Sequence, residues 1–356
     1  MSIKSRSMKS HPTRKLLLSV AVLLILLACQ IPVGARLPFV PPTSTATASQ
    51  TFTPAPTLTS TLTATATATL TTTPSPTITP TFTAPARRAV ILSIDGLRPD
   101  AILLAPMPNL VGLMQSGAFS LGAQTVFPSV TLVGHASMLT GLCPSKHGVD
   151  WNDYLPERGY ARGTDLFDIA HAAGLQTEMY VGKQKLVQIT EPSSLDNFVF
   201  VNDADSVLMD RLIADFPQDF GVLFIHLAAT DGMGHAYGWL SPEQLSVIRR
   251  ADEAIGRLLA QLEARNLRRE TLIIVTADHG GSGQGHGSDG RENMTIPWVA
   301  AGPGIQPKTL TTLIHTMDTA ATTAFALGLT IPSEWDGVPV YEAFGLPIER
   351  QSMSCP

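Results

Sequence analysis

The sequence predicts an α/β fold: a central, mostly parallel sheet with helices on both faces. Two observations lead there. After Arg87-Arg88, short runs rich in β-branched and aliphatic residues alternate with longer segments of helical pattern, the order that produces an α/β sheet. These runs are also nearly continuous in apolar residues, as parallel strands covered on both faces require. Strands are expected over 89–94, 177–181, 198–201, 222–227, 272–276 and 296–300. Helices are expected over 107–116, 132–140, 165–173, 206–215, 242–265 and 318–327. No internal repeat is visible.

The first part of the chain does not read as a folded domain. Lys4, Arg6, Lys9, Arg14 and Lys15 precede the apolar run 16–27, which has the order of a secretory signal and is short for a membrane span. Its end, Leu26-Leu27-Ala28-Cys29, resembles the lipobox of bacterial lipoproteins. That resemblance implies cleavage after residue 28, lipid on Cys29 and anchoring on the extracytoplasmic side of a membrane. A plain cleaved signal with an incidental cysteine is the alternative. From Pro41 to Pro85 the chain is almost wholly Thr, Pro, Ala and Ser without a charged residue. This composition cannot bury a core and predicts an extended spacer. The expected division is therefore a signal over 1–28, a disordered linker over 29–86 and a catalytic domain over 87–356.

Cleavage after residue 28 removes five basic and no acidic side chains, so 24 Lys+Arg against 29 Asp+Glu becomes 19 against 29, a net charge of −10. An acidic surface gives no general attraction to nucleic acid, so phosphate recognition must come from a local site. With Cys29 lipidated, Cys143 and Cys355 remain. An oxidising compartment permits them to pair, and the sequence leaves open whether they do.

Three apolar runs end at an aspartate: 90–94 before Asp95, 222–230 before Asp231, and 273–277 before Asp278. Ligands of open α/β sheets bind at the carboxyl ends of strands, so these carboxylates can converge on one crevice. Convergent buried carboxylates need positive charge between them, and no lysine or arginine lies close in sequence to Asp231 or Asp278. Bound cations are the expected answer. Histidines accompany two of the aspartates, His235 four residues after Asp231 and His279 directly after Asp278, while the loop 280–287 carries His286. Carboxylate with imidazole favours zinc, with manganese or iron as alternatives.

A nucleophile is expected in Phe127-Pro128-Ser129-Val130-Thr131, which precedes the amphipathic segment 132–140. Thr131 at a helix N-terminus lies among free backbone N–H groups that favour phosphate oxygens. An ordinary N-cap role is physically sound for the same residue, and Ser129 is the neighbouring competitor.

Asp95-Gly96, 127–131, Thr140-Gly141, His147-Gly148, Asp231 with His235, Asp278-His279-Gly280 and His286-Gly287 occur in one order. Together they resemble the alkaline phosphatase superfamily, and within it the type I phosphodiesterase/nucleotide pyrophosphatase branch, over residues 88–346. The resemblance implies an alkaline-phosphatase-like fold and two zinc ions. One would be surrounded by Asp95, Thr131, Asp278 and His279, the other by Asp231, His235 and His286. It further implies hydrolysis of phosphodiesters or nucleotide pyrophosphates, a small-molecule class of substrate, through a phosphothreonine on Thr131. Asn152 falls where the branch places an asparagine that contacts a nonbridging phosphate oxygen. His315 is left to local packing, and so is His135, because Gly134 stands where the branch commonly has asparagine. A phosphomonoesterase, sulfatase or phosphoethanolamine transferase shares parts of the metal arrangement. A sulfatase would need cysteine or serine at the nucleophile position, and no motif for a third ion or a dianion clamp is visible. A noncatalytic metal-binding lipoprotein is the reading from another class. The region 151–220 offers no recognisable leaving-group pocket.

Overall fold

The computed structural model describes residues 84–348 and 350–356. The expected signal, Cys29 and the spacer up to residue 83 lie outside the described residues. At the end of the expected linker, Ala86 is buried and its N–H donates to Ala326 O at 3.0 Å.

Among the described residues, β1 (Arg88–Ile94), β2 (Ala118–Gln124), β3 (Gln176–Val181), β4 (Asn197–Phe200), β5 (Phe220–Leu227), β6 (Thr271–Thr276), β7 (Thr295–Ala301) and β8 (Lys308–Thr309) form an eight-stranded sheet. Its order is β4-β3-β5-β1-β6-β7-β2-β8. Pairing is parallel from β4 through β6, antiparallel where β7 meets β6 and β2, and parallel again between β2 and β8. The α-helices are α1 (Ala101–Leu104), α2 (Pro108–Ser116), α3 (Thr131–Thr140), α4 (Pro144–His147), α5 (Leu166–Ala172), α6 (Asp205–Ala214), α7 (Ala229–Tyr237), α8 (Pro242–Ala264), α9 (Arg291–Met294) and α10 (Asp318–Ala326). None of the described helices is long and apolar enough to cross a membrane.

β1 shows why continuous apolar runs mark this sheet. Val90, Leu92 and Ile94 enter one buried cluster with Leu110 of α2, Leu212 of α6 and Ile255 of α8. Ile91 enters a second cluster with Leu139 of α3, Phe167 of α5 and Ala324 of α10. Each fully buried aliphatic side chain contributes roughly 1.5–3 kcal/mol relative to exposure, so a strand packed on both faces tolerates few polar residues. α8 buries Val247, Ile248, Ala251, Ile255, Leu258 and Leu262, the i, i+4, i+7 stripe of a surface helix. Ser241 caps its start, accepting from Gln244 N–H at 3.2 Å.

The expected strands correspond to β1 and β3–β7, and the expected helices to α2, α3, α5, α6, α8 and α10. Unforeseen were β2 and β8, at one edge of the sheet, the four-residue helices α1, α4 and α9, and α7. β2 is Ala-Phe-Ser-Leu-Gly-Ala-Gln, half exposed, with a register irregularity between Ser120 and Ala123, so its apolar pattern is weak. α7 contains Gly232 and Gly234, each costing about 1 kcal/mol in a helix interior. Packing overrides that cost: a Cβ on Gly234 would meet Gln244 Nε2 and the Trp239 ring at 2.8 Å.

Cys143 and Cys355, whose pairing the sequence left open, form a disulfide across 212 residues. It fastens the C-terminal tail beside α4.

Candidate metal centre

Adjacency in the sheet brings the carboxylates together. β1 lies between β5 and β6, with Ile94 opposite Leu227 and Ser93 opposite Thr276. Neighbouring strands are about 4.8 Å apart, so residues leaving these three strands at the same end are held within ligand distance. Asp95 follows β1 directly, Asp278 follows β6 by two residues, and Asp231 occupies the first turn of α7 after β5. The loops close around one indole. Trp239 Nε1 donates to Gly96 O at 2.9 Å, and a Cβ on Gly281 would stand 2.1 Å from the same ring. Gly96 adopts φ +72°, a left-handed conformation that other residues reach only at a cost.

Two groups of possible ligand atoms result, each within 4.8 Å: Asp231, His235 and His286, and Asp95, Asp231 and His279. Asp231 belongs to both. Asp278 borders the second group, its Oδ2 being 3.3 Å from His279 Nε2, while its Oδ1 accepts from Gly96 N–H at 3.1 Å. Every carboxylate of the three keeps a buried oxygen without a hydrogen-bond partner: Asp95 Oδ1, Asp231 Oδ1 and Asp278 Oδ2.

The histidines point to what these oxygens await. His279 Nδ1 lies 2.7 Å from Gly280 O, His286 Nδ1 2.9 Å from Ser129 O, and His235 Nδ1 3.0 Å from Gln284 O. A carbonyl only accepts, so each Nδ1 carries a proton, and Nε2 is the nitrogen whose lone pair can serve as a ligand. Those lone pairs face carboxylate oxygens. His279 Nε2 is 3.3 Å from Asp95 Oδ1, and His235 and His286 Nε2 are each 3.4 Å from Asp231 Oδ1. Lone pair against anion is repulsive without a cation between them. Orienting carbonyls behind the imidazoles are also the usual support of metal-binding histidines. The residues therefore fit two divalent ions.

The carboxyls differ in state. Burial pushes Asp95 upward, but the fields of Lys183, His226 and His279 override it and hold the group well below the usual carboxylate range. Burial and the nearby Asp95 charge both raise Asp278. Burial lowers His286 to about 4, with His279 repelling its proton further.

Thr131 is buried at the first position of α3, and its Oγ1 lies 3.5 Å from His279 Nε2. Asn152 Oδ1 accepts from Leu132 N–H at 2.9 Å, which fixes the amide beside the helix start. Ser129 Oγ is turned away, donating to Ser288 O at 2.7 Å. His315 contacts Ser352 and Ser354 of the tail.

No lysine or arginine is close in sequence to Asp231 or Asp278, and folding brings one, Lys183, to these carboxylates from a distance. Its Nζ lies 2.6 Å from both Asp95 Oδ2 and Asp231 Oδ2 and 3.1 Å from Thr131 Oγ1. It arrives from the loop after β3, 48 residues before Asp231, so proximity in sequence could not reveal it. Two further residues went unassigned to the site. His226 Nε2 is 2.8 Å from Asp95 Oδ2, and its one signal was a histidine inside the apolar run 222–227. His135 Nδ1 donates to Thr131 O at 2.8 Å and its Nε2 lies 2.8 Å from Ser93 Oγ, so this histidine supports the nucleophile's backbone and passes 3.3 Å from Asp278 Oδ2 without a hydrogen bond to it. Gly134 also has a local reason, since a Cβ there would stand 2.6 Å from Asp278 O.

A sheet of this order with such a cluster at its carboxyl end defines the class, the alkaline phosphatase superfamily. The chain belongs to the type I phosphodiesterase/nucleotide pyrophosphatase family, whose model matches residues 89–284; a sulfatase family model matches residues 242–329. The second match, and not the first, includes His286. An uncharacterized pyrophosphatase/phosphodiesterase of Schizosaccharomyces pombe is 27% identical over 216 residues, covering 54% of this chain and 44% of the relative. A bis(5'-adenosyl)-triphosphatase of Xenopus laevis is 26% identical over 214 residues, covering 54% of this chain and 47% of the relative. The chain thus spans less than half the length of these relatives. Murine ectonucleotide pyrophosphatase/phosphodiesterase 5 shares the fold with a TM-score of 0.60 at 17% identity, over 73% of this chain and 99% of that one. A 2-O GAG sulfatase does so with 0.62 at 15% identity, over 75% and 76%.

Proposed function

We propose that this chain is a metal-dependent phosphoric ester hydrolase acting on phosphodiesters or nucleotide pyrophosphates, with Thr131 as nucleophile. The observation that carries the reading is the set of three histidine lone pairs facing orphaned carboxylate oxygens beside a buried threonine hydroxyl. Asp95, Asp278 and His279, with Thr131, would hold one zinc ion, and Asp231, His235 and His286 the other. Manganese or iron suits the same donors. Bound there, two such ions supply Lewis acidity and a lowered proton affinity for oxygen nucleophiles.

The chain's own groups do the rest. Lys183, charged and 3.1 Å from Thr131 Oγ1, favours the alkoxide over the hydroxyl. Thr131 attacks phosphorus, the ester oxygen leaves, and water later cleaves the phosphothreonine. Asn152 spends its Oδ1 on Leu132 N–H and Lys185, which leaves the Nδ2 protons for a nonbridging oxygen. His226 keeps Asp95 oriented, Gly96 N–H keeps Asp278, and His135 holds the Thr131 backbone.

The names of the two sequence relatives support a pyrophosphate or diester substrate, and the acidic composition argues against specific nucleic-acid binding. Residues 87–356 are proposed as the catalytic domain, exported and tethered through lipid on Cys29. The test is turnover of aryl phosphate diesters, aryl monoesters and nucleotide pyrophosphates, with and without chelator. Chelator-sensitive turnover that Thr131→Ala abolishes, with metal retained, is the expected result; undiminished turnover in Thr131→Ala rejects the nucleophile.

A further inference from the structure

The loop after β3 sends two lysines, not one, toward the nucleophile. Lys183 is neutralised by Asp95 and Asp231. Lys185 is not neutralised: its Nζ rests 2.8 Å from Asn152 O and 2.9 Å from Asn152 Oδ1, and it makes no ion pair among the described residues. Both lysines line a cavity of about 320 Å³ together with Asn152, Tyr154, Phe200 and Asn202. A half-buried ammonium held only by neutral oxygens is energetically incomplete, because a charge taken from water gains most from an opposite charge. Burial, and then the charge of Lys183, lower the Lys185 pKa against the opposing fields of Asp95, Asp278 and Asp231, none of which pairs with it directly.

A diester offers a single negative charge. Two divalent ions held there, with Lys183, would set five positive charges against Asp95, Asp231, Asp278 and the Thr131 alkoxide, leaving about one, which a diester monoanion already matches. Lys185 Nζ and Leu132 N–H meet at one oxygen, Asn152 Oδ1, which holds the ammonium near the helix start, where its natural partner is a second anionic oxygen.

Resting on the hydrolase reading above, we propose that Lys185, on the cavity wall beside Lys183, is an anion clamp selecting substrates with a second negative charge on, or directly next to, the scissile phosphoryl group. The charge has two possible sources, the reacting group of a phosphomonoester dianion or the neighbouring phosphoryl of a phosphoanhydride. This departs from the sequence reading, which found no motif for clamping a dianion. Lys-Gln-Lys at 183–185 is too short a signal to be seen before folding places it.

The test compares kcat/KM for an aryl monoester, a bis-aryl diester and a nucleoside diphosphate in wild type, Lys185→Met, Lys185→Gln and Lys185→Arg. The pH is kept above the second phosphate ionisation at about 6. The ratio of doubly to singly charged substrate falls about tenfold or more in the Met and Gln variants and survives in Arg. Gln retains a donor for Asn152, so a fall there isolates the charge from the positioning of the amide. Which ratio falls, that of the monoester or of the diphosphate, identifies the source of the second charge. A readout independent of turnover is calorimetric binding of phenyl phosphate and diphenyl phosphate to metal-loaded Thr131→Ala. Adding Lys185→Gln weakens the dianion about tenfold relative to the monoanion. Unchanged ratios in Met and Gln, in both kinetics and binding, overturn the clamp. Absence of turnover of every ester by wild type overturns the hydrolase reading instead, and the binding arm still judges the clamp.

Discussion

Two places in this molecule bury aspartate beside histidine, one with three carboxylates and one with Asp318 alone, and they differ in how the carboxylate oxygens are met. At the end of β6 and its neighbours, Asp95, Asp231 and Asp278 each keep an oxygen that no donor meets. Near the tail, Asp318 is equally buried, but Val338 N–H reaches its Oδ1 at 2.8 Å, and His315 N–H and Ser352 Oγ reach its Oδ2 at 2.8 and 2.7 Å. A histidine accompanies each cluster. The imidazoles of the first turn lone pairs toward carboxylates, whereas His315 faces the hydroxyls of Ser352 and Ser354. Burial of Asp and His is therefore no sign of a metal site. What separates a site from a structural network is which lone pairs are left over, since buried polar groups are otherwise satisfied.

Substitution sharpens the contrast most at the residue common to both ligand groups. Asp231→Asn should lower turnover by roughly a thousandfold or more, several kcal/mol of transition-state stabilisation, with loss of bound metal. The metal-free protein should lose about 1–3 kcal/mol of stability, because Asp231 Oδ2 also pairs with Lys183 at 2.6 Å, which keeps Asp95 as its remaining partner. Asp318→Ala should behave in the opposite way. Three donors are stranded, stability falls by about 3 kcal/mol and Tm by about 6–12 °C, while metal content holds. Calorimetry and elemental analysis on the two variants measure both.

His147 provides a second satisfied histidine. Val149 N–H donates to its Nδ1 at 3.1 Å and Ser137 Oγ lies 2.9 Å from its Nε2, so the neutral ring fits and an added proton has no acceptor. Burial, assisted by Arg162, lowers it to about 4. The unfolded chain binds this proton near pH 6.5 and the folded chain does not. The stabilisation is thus complete above pH 6.5 and is lost as pH falls toward 4, by roughly 3 kcal/mol. Urea midpoints across that range should decline, and His147→Gln should flatten the decline. The smallest effect expected is Ser352→Ala, which removes one hydroxyl from Asp318 and should cost about 1 kcal/mol in the same unfolding measurement.

The same contrast explains what could be read before folding. Asp95, Asp231, Asp278, His235, His279 and His286 sit in runs where strand ends and glycine-rich loops are visible in the sequence, because each ligand is local to the element that presents it. Lys183, His226 and His135 act through side chains that cross from another strand or helix, and no local pattern distinguishes them from core or surface residues. α7 escaped for a related reason: its two glycines oppose a helix locally, and the Trp239 ring that packs against Gly234 lies outside the segment. β2 escaped because an edge strand half open to solvent has no need of a continuous apolar run.

The central claim is that orphaned oxygens and inward lone pairs mark a place for two cations. Elemental analysis of protein purified without chelator and dialysed against zinc tests it most directly, alongside Asp95→Asn and Asp231→Asn. The account predicts two divalent ions per chain, with fewer in each variant and a lower Tm once a chelator has removed them. Wild-type protein that stays folded and binds no ion, or variants that bind as much as wild type, would contradict it.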